Sequence, residues 1–172
     1  SFPDGVGLPL NKGRSLVMQV HYNVMTQDPI PDLTTVDLQF AQSPVEYSAA
    51  MLGFPVSDIF IPSGEMDHVE TDDFVVEADA ILWGVVPHMH ELGTKISASV
   101  VDPDGNNEQC LVDIPKWDFN WQQIYMLADP EGFAVEKDST LTVTCTFDNP
   151  TDMLVTWGES TSDEMCLFYA IY

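Results

Sequence analysis

The chain has 172 residues, is 45% hydrophobic and carries four Trp and nine Phe, enough for a compact core and unlike a disordered polymer. Its 28 acidic residues against five basic ones give a formal net charge of -23. A surface of that sign repels nucleic acid and anionic membranes, and neither is expected as a partner. No run of about 18 apolar residues is present to span a bilayer, and the polar, turn-rich opening "SFPDGVGLPLNKG" does not have the pattern of a signal peptide.

In chain order, "SLVMQVHY" (15–22) alternates Leu16, Met18, Val20 and Tyr22 with Val17, Gln19 and His21, the period of two that a half-buried strand requires. Strand-like runs follow at "TTVDLQF", "SDIFIP", "DFVVEADAILWGVV", "KISASVV", "CLVDI", "QQIYML", "STLTVTCTF", "MLVTW" and "CLFYAIY". Clusters of Gly, Pro, Asn and Asp punctuate them, and "DPDGNN" (102–107) reads as the loop of a hairpin. No long segment repeats its apolar residues every 3.6 positions, and 12 prolines discourage helices. Short strands with this punctuation predict an all-β fold, an antiparallel jelly-roll β-sandwich.

Two of the four histidines stand in "PHMHELG" (87–93). On a strand, residues i and i+2 share a face about 6.5 to 7 Å apart, so His88 and His90 could meet one ion while Met89 turns to the core. Two polar residues ahead of a loop is an equally good reading of this pair alone. Met165 lies 75 residues beyond His90, in "TSDEMC" (161–166); a methionine entering a core strand is ordinarily a packing residue. As a ligand it would complete a set of two imidazoles and a thioether, which suits copper(I) better than zinc. Asp163 and Glu164 read as a solvated turn or backbone cap ahead of an acid–base pair. In "WDFNWQ" (117–122), core packing with a hydrogen-bonded Asn120 is expected before a pocket lining. "EMDHVETDD" (65–73), around His68, lacks a calcium-loop pattern and reads as a charged loop. Cys110, Cys145 and Cys166 form no CxxC and leave three single-bridge pairings open.

The segments "LPLNKGRSLVMQVHYN", "PHMHELGTKI", "DIPKWDFNWQ" and "WGESTSDEMCLFYAIY", in this order, resemble the copper type II, ascorbate-dependent monooxygenases over nearly the whole chain. The likeness is to the carboxy-terminal of that family's two catalytic domains, and "DFNWQ" is closer to its bacterial members. It implies two jelly-roll domains with one copper each. The second copper, where dioxygen hydroxylates a C–H bond of a small-molecule substrate, would take His88, His90 and Met165 as its catalytic ligands. Ascorbate would supply electrons through the first copper. His21, in "MQVHY", occupies the place of one of that copper's three histidine ligands, and the chain has no His-His pair for the other two.

On this resemblance residues 1–25 are a junction segment from an upstream copper domain, the expected partner, and residues 26–172 are the copper-binding domain. The chain alone would then be inactive or nearly so. The family pattern pairs Cys145 with Cys166, leaves Cys110 as a buried thiol, and through the bridge implies an extracellular or periplasmic setting. Peptide-hydroxylating members grip a substrate carboxylate with an arginine, here Val86, and a tyrosine, here Tyr169, while an asparagine of theirs is Leu167. Loss of that positive charge argues against a peptidylglycine substrate, but Tyr169 remains a substrate-binding candidate. A non-catalytic module that stores, senses or delivers copper(I) is the alternative reading, and a structural domain with a vestigial site is a third.

Overall fold

The computed structural model describes residues 2–20 and 31–172, and His21 lies outside them. The chain divides into two units, Pro3–Ala49 and Ala50–Tyr172. In the first, β1 (Val6–Gly7) runs parallel to β2 (Tyr47–Ser48). The strands expected at 15–20 and 34–40 do not form, and these residues are exposed and outside any ladder. Alternation supplies an amphipathic ribbon, but a strand exists only where another strand meets its N–H and C=O groups. Among the described residues no such partner meets these two runs.

The second unit contains β3 (Met51–Pro55), β4 (Phe60–Ile61), β5 (His68–Val75), β6 (Ala80–Leu82), β7 (Gly84–Met89), β8 (Gly93–Val101) and β9 (Glu108–Ile114). It continues with β10 (Tyr125–Met126), β11 (Phe133–Val135), β12 (Thr140–Phe147), β13 (Val155–Thr156) and β14 (Cys166–Ile171). Two four-stranded sheets carry the orders β10-β7-β14-β3 and β5-β12-β8-β9, with short pairs β11-β6 and β13-β4 beside them. All these ladders are antiparallel.

The alternating pattern explains how the sheets face each other. Ile96, Ala98 and Val100 of β8 and Leu141, Val143 and Cys145 of β12 meet Val85 and Met89 of β7 and Cys166, Phe168 and Ala170 of β14 in one core. This is an antiparallel all-β sandwich, as the sequence predicts. Phe147 and Phe168 are fully buried, each stabilising the core by about 2 to 3 kcal/mol. Cys145 and Cys166 are bridged across 21 residues of chain, and the bridge ties the two sheets together through their central strands.

"DPDGNN" is the β8–β9 hairpin loop: the Gly105 N–H donates to the Asp102 carbonyl at 2.9 Å and the Asn106 N–H to Asp102 Oδ1 at 3.0 Å. Gly105 has φ 74°, a backbone state that glycine adopts without strain. Two expectations are corrected. Cys110 is exposed, not a buried thiol. The β8–β9 register shifts so that Ser99 faces Cys110 but Ala98 faces Val112. Leu111 is the extra, buried residue of this bulge, and Cys110 is turned to solvent. "EMDHVETDD" is not a charged loop throughout, because His68–Val75 is strand β5. There His68 Nε2 lies 2.9 Å from Glu70 Oε1.

Candidate metal centre

Strands β7 and β14 lie side by side in the middle of their sheet. Along β14, Cys166, Phe168 and Ala170 are buried while Leu167 and Tyr169 are half-buried. The register sets His88 opposite Leu167 and Val86 opposite Tyr169, so these four side chains share the face turned away from the core. The ladder ends at Cys166 opposite Met89. Just beyond that end lie Met165, before β14, and His90, after β7, whose backbone N–H groups both reach one oxygen of Glu164. The three expected ligands thus gather at one end of two adjacent strands.

The histidine rings are 5.2 Å apart between centroids and nearly perpendicular, at 87°. Each has its Nδ1 engaged. Gln122 Nε2 donates to the Phe119 carbonyl at 2.8 Å, which turns Gln122 Oε1 toward His88 Nδ1 at 2.5 Å. An amide oxygen only accepts, so His88 carries its proton on Nδ1 and keeps the lone pair on Nε2. His90 Nδ1 likewise donates to the Asp163 carbonyl, 2.9 Å away, and its ring meets Phe119 edge-on at 6.3 Å. Outer-shell acceptors that fix the tautomer in this way are the usual companions of metal-ligating histidines.

Burial lowers the pKa of His88, opposed by the Gln122 hydrogen bond, with the nearby His90 adding to the lowering. A lowered value keeps the ring neutral, the form that binds metal. Among the described residues no three His, Cys, Asp or Glu side chains gather into a metal-holding group. Two open imidazoles with a methionine at the adjoining strand end suit a soft, low-coordinate ion such as copper(I).

Glu164 is fully buried, which corrects the solvated part of the expected turn and keeps its capping part. Its Oε2 accepts from the His90 N–H at 3.0 Å and the Met165 N–H at 3.2 Å, and its Oε1 from the Leu92 N–H at 2.6 Å. Burial raises its pKa, while these three bonds and His90 pull it down. In "WDFNWQ", Trp117 is in the core as expected, but Trp121 is 68% exposed. Asn120 is hydrogen-bonded as expected, its N–H and side-chain amide donating to Asp118 Oδ1. The residues of that run that reach the histidines are Phe119, against the His90 ring, and Gln122, at His88 Nδ1. Tyr169 lies against β3, where a Cβ added to Gly53 would sit 2.8 Å from its ring. Only a glycine lets the ring lie so close to the strand.

Gln122→Leu removes the only side-chain acceptor described for His88 Nδ1. We expect copper(I) affinity to fall about tenfold or more, with little change in thermal stability because the residue is exposed. Competition against a chromophoric copper(I) chelator checks this.

Fold and site together define an all-β sandwich domain with paired, tautomer-fixed imidazoles at the edge of one sheet face. A family model described as "Copper type II ascorbate-dependent monooxygenase, C-terminal domain" matches residues 62–172, and the chain belongs to that family. Copper is the family's metal and ascorbate its reductant. A chain from a solved structure described as "Structure of infectious bursal disease virus Gt strain" is similar at 13% identity and a TM-score of 0.34. That match covers 84% of this chain and 36% of the viral one.

Proposed function

We propose that this domain holds the dioxygen-activating copper of a two-copper monooxygenase through His88 Nε2, His90 Nε2 and the Met165 thioether. The supporting observation is the pair of occupied Nδ1 atoms, which leaves both Nε2 atoms open beside the strand end that Met165 precedes. When bound, the metal supplies the redox chemistry by which one oxygen atom of dioxygen enters a substrate C–H bond and the other leaves as water, with two electrons from ascorbate and two protons.

The chain's own residues hold and orient the substrate. Val86, Leu167 and Tyr169, with Met51, Gly53 and Pro55 of β3, form an uncharged surface beside His88. On a chain of net charge -23, such a surface suits a neutral small molecule and disfavours a carboxylate, for which no cation is at hand. Tyr169 offers the one hydroxyl on that face for orienting the substrate. Met89 and Phe168, fully buried beneath the sheet, keep water from reaching the ligands from the core side.

Residues 1–25, with His21, are assigned to the junction with an upstream copper domain that would supply the remaining ligands of the first copper. Without that domain the electron route is incomplete, and the isolated chain should turn over little or no substrate. The β-sandwich is taken to follow the family's jelly-roll winding. The Cys145–Cys166 bridge supports an extracellular or periplasmic setting.

The test is copper(I) loading followed by X-ray absorption on the chain and on Met165→Ala. A sulfur scatterer present in the first and lost in the second is expected. Identical spectra would remove Met165 from the ligand set.

A further inference from the structure

The ladder between β7 and β14 stops one residue short of His90 and Met165, at Cys166 opposite Met89. No ladder bond therefore fixes His90 relative to Met165. What joins them is a side chain: the single oxygen Oε2 of Glu164 accepts from the backbone N–H of His90 at 3.0 Å and from that of Met165 at 3.2 Å. Its other oxygen, Oε1, accepts from the Leu92 N–H at 2.6 Å, holding the turn that follows the histidine pair. The residue before it contributes as well, since the Asp163 carbonyl accepts from His90 Nδ1.

A carboxylate is an awkward choice for mere stability at this position. Glu164 is fully buried, and the Lys salt bridges among the described residues go to Asp67 and Asp138 and not to it. A well-packed apolar side chain would remove the desolvation penalty altogether. An apolar side chain could not, however, hold three N–H groups from two separate segments on one rigid group. A carboxylate can, because its two oxygens offer about four acceptor sites in a fixed plane.

We propose that Glu164 is the positioning residue of the metal centre, pinning the main chain of His90 and Met165 to one carboxylate so that the site is assembled before metal arrives. The proposal rests on the assignment of these two residues as ligands. It makes Glu164 an element that touches neither metal nor substrate yet sets the distance between an imidazole and a thioether carried on different strands.

The experiment has two parts. In the metal-free wild-type domain, hydrogen exchange of the His90, Leu92 and Met165 amides should be as slow as that of the β7–β14 ladder amides; fast exchange at all three would overturn the pre-assembly. Glu164→Gln is then compared with wild type and with Val143→Ala, a core truncation in the other sheet that reports simple destabilisation. Glu164→Gln keeps the shape but replaces one acceptor oxygen with a donor. Copper(I) affinity, by chelator competition, should fall about 10- to 100-fold and the sulfur shell in X-ray absorption should weaken, while Val143→Ala leaves both unchanged. An affinity loss no greater than that of Val143→Ala, with an intact sulfur shell, would overturn the role of Glu164. A Glu164→Gln chain that does not fold leaves the exchange measurement on wild type to decide. Failure of the wild type itself to bind copper(I) would instead defeat the ligand assignment, so the two failures are distinguishable.

Discussion

His90→Ala is expected to abolish tight copper(I) binding. His90 is 6% exposed, and its ring is held on two sides, by the Asp163 carbonyl at Nδ1 and by the edge of Phe119. Alanine removes a donor that needs no rearrangement to bind and leaves only His88 and Met165. Loss of an outer-shell partner alone typically reduces metal affinity 10- to 100-fold, so loss of a ligand should exceed about a hundredfold. Chelator competition measures the change. His68→Ala is the control, because His68 pairs with Glu70 at the start of β5, on the other sheet. Equal losses in the two variants would mean the effect is general destabilisation.

The second large effect is on stability. Replacing both Cys145 and Cys166 with serine opens a bridge that closes 21 residues of sequence separation. Chain-entropy reasoning puts the loss at about 3 kcal/mol, or a fall in Tm of roughly 10 °C for a domain of this size. Both cysteines are fully buried, so two hydroxyls would also be left in the core without assured partners. Because Cys166 follows Met165 directly, the same variant should bind copper(I) less tightly. Calorimetry with and without copper(I) separates the two consequences. Peptide mapping without reduction should recover the Cys145–Cys166 pair, and a peptide linked through Cys110 would contradict it.

The strands that could be read from sequence are those whose alternation also had a partner waiting. β8, β12 and β14 alternate small or apolar residues over six to nine positions and form the centre of the sandwich. "SLVMQVHY" has as good a pattern, yet its described part stays unpaired, since pairing is a property of two segments and only one was visible. The same limit applies at the site. His88 and His90 could be read as a pair because their spacing is local, whereas Met165 joined them only through the family resemblance. Gln122 was not legible, because its role depends on a loop returning to β7 across 34 residues. Glu164 did carry a signal. Extending the alternation of β14 backwards gives Glu164 the inward phase of Cys166, Phe168 and Ala170, and a carboxylate in that phase must find donors inside the protein.

The outer strand β5 places a half-buried Glu70 opposite the buried Cys145 and an exposed Asp72 opposite the buried Val143, so carboxylates stand where aliphatic residues would extend the core. At the other margin of the same sheet, β9 exposes Glu108 and Asp113. Any second copy trying to add its own strand to either margin would have to bring like charges together. Edges furnished in this way resist the strand-by-strand growth that turns sheet proteins into fibres. They also discourage the close edge-to-edge approach through which two exposed Cys110 thiols would meet. The acidity that looked like a mere property of the surface thus sits at particular edge positions, where it opposes strand-by-strand addition.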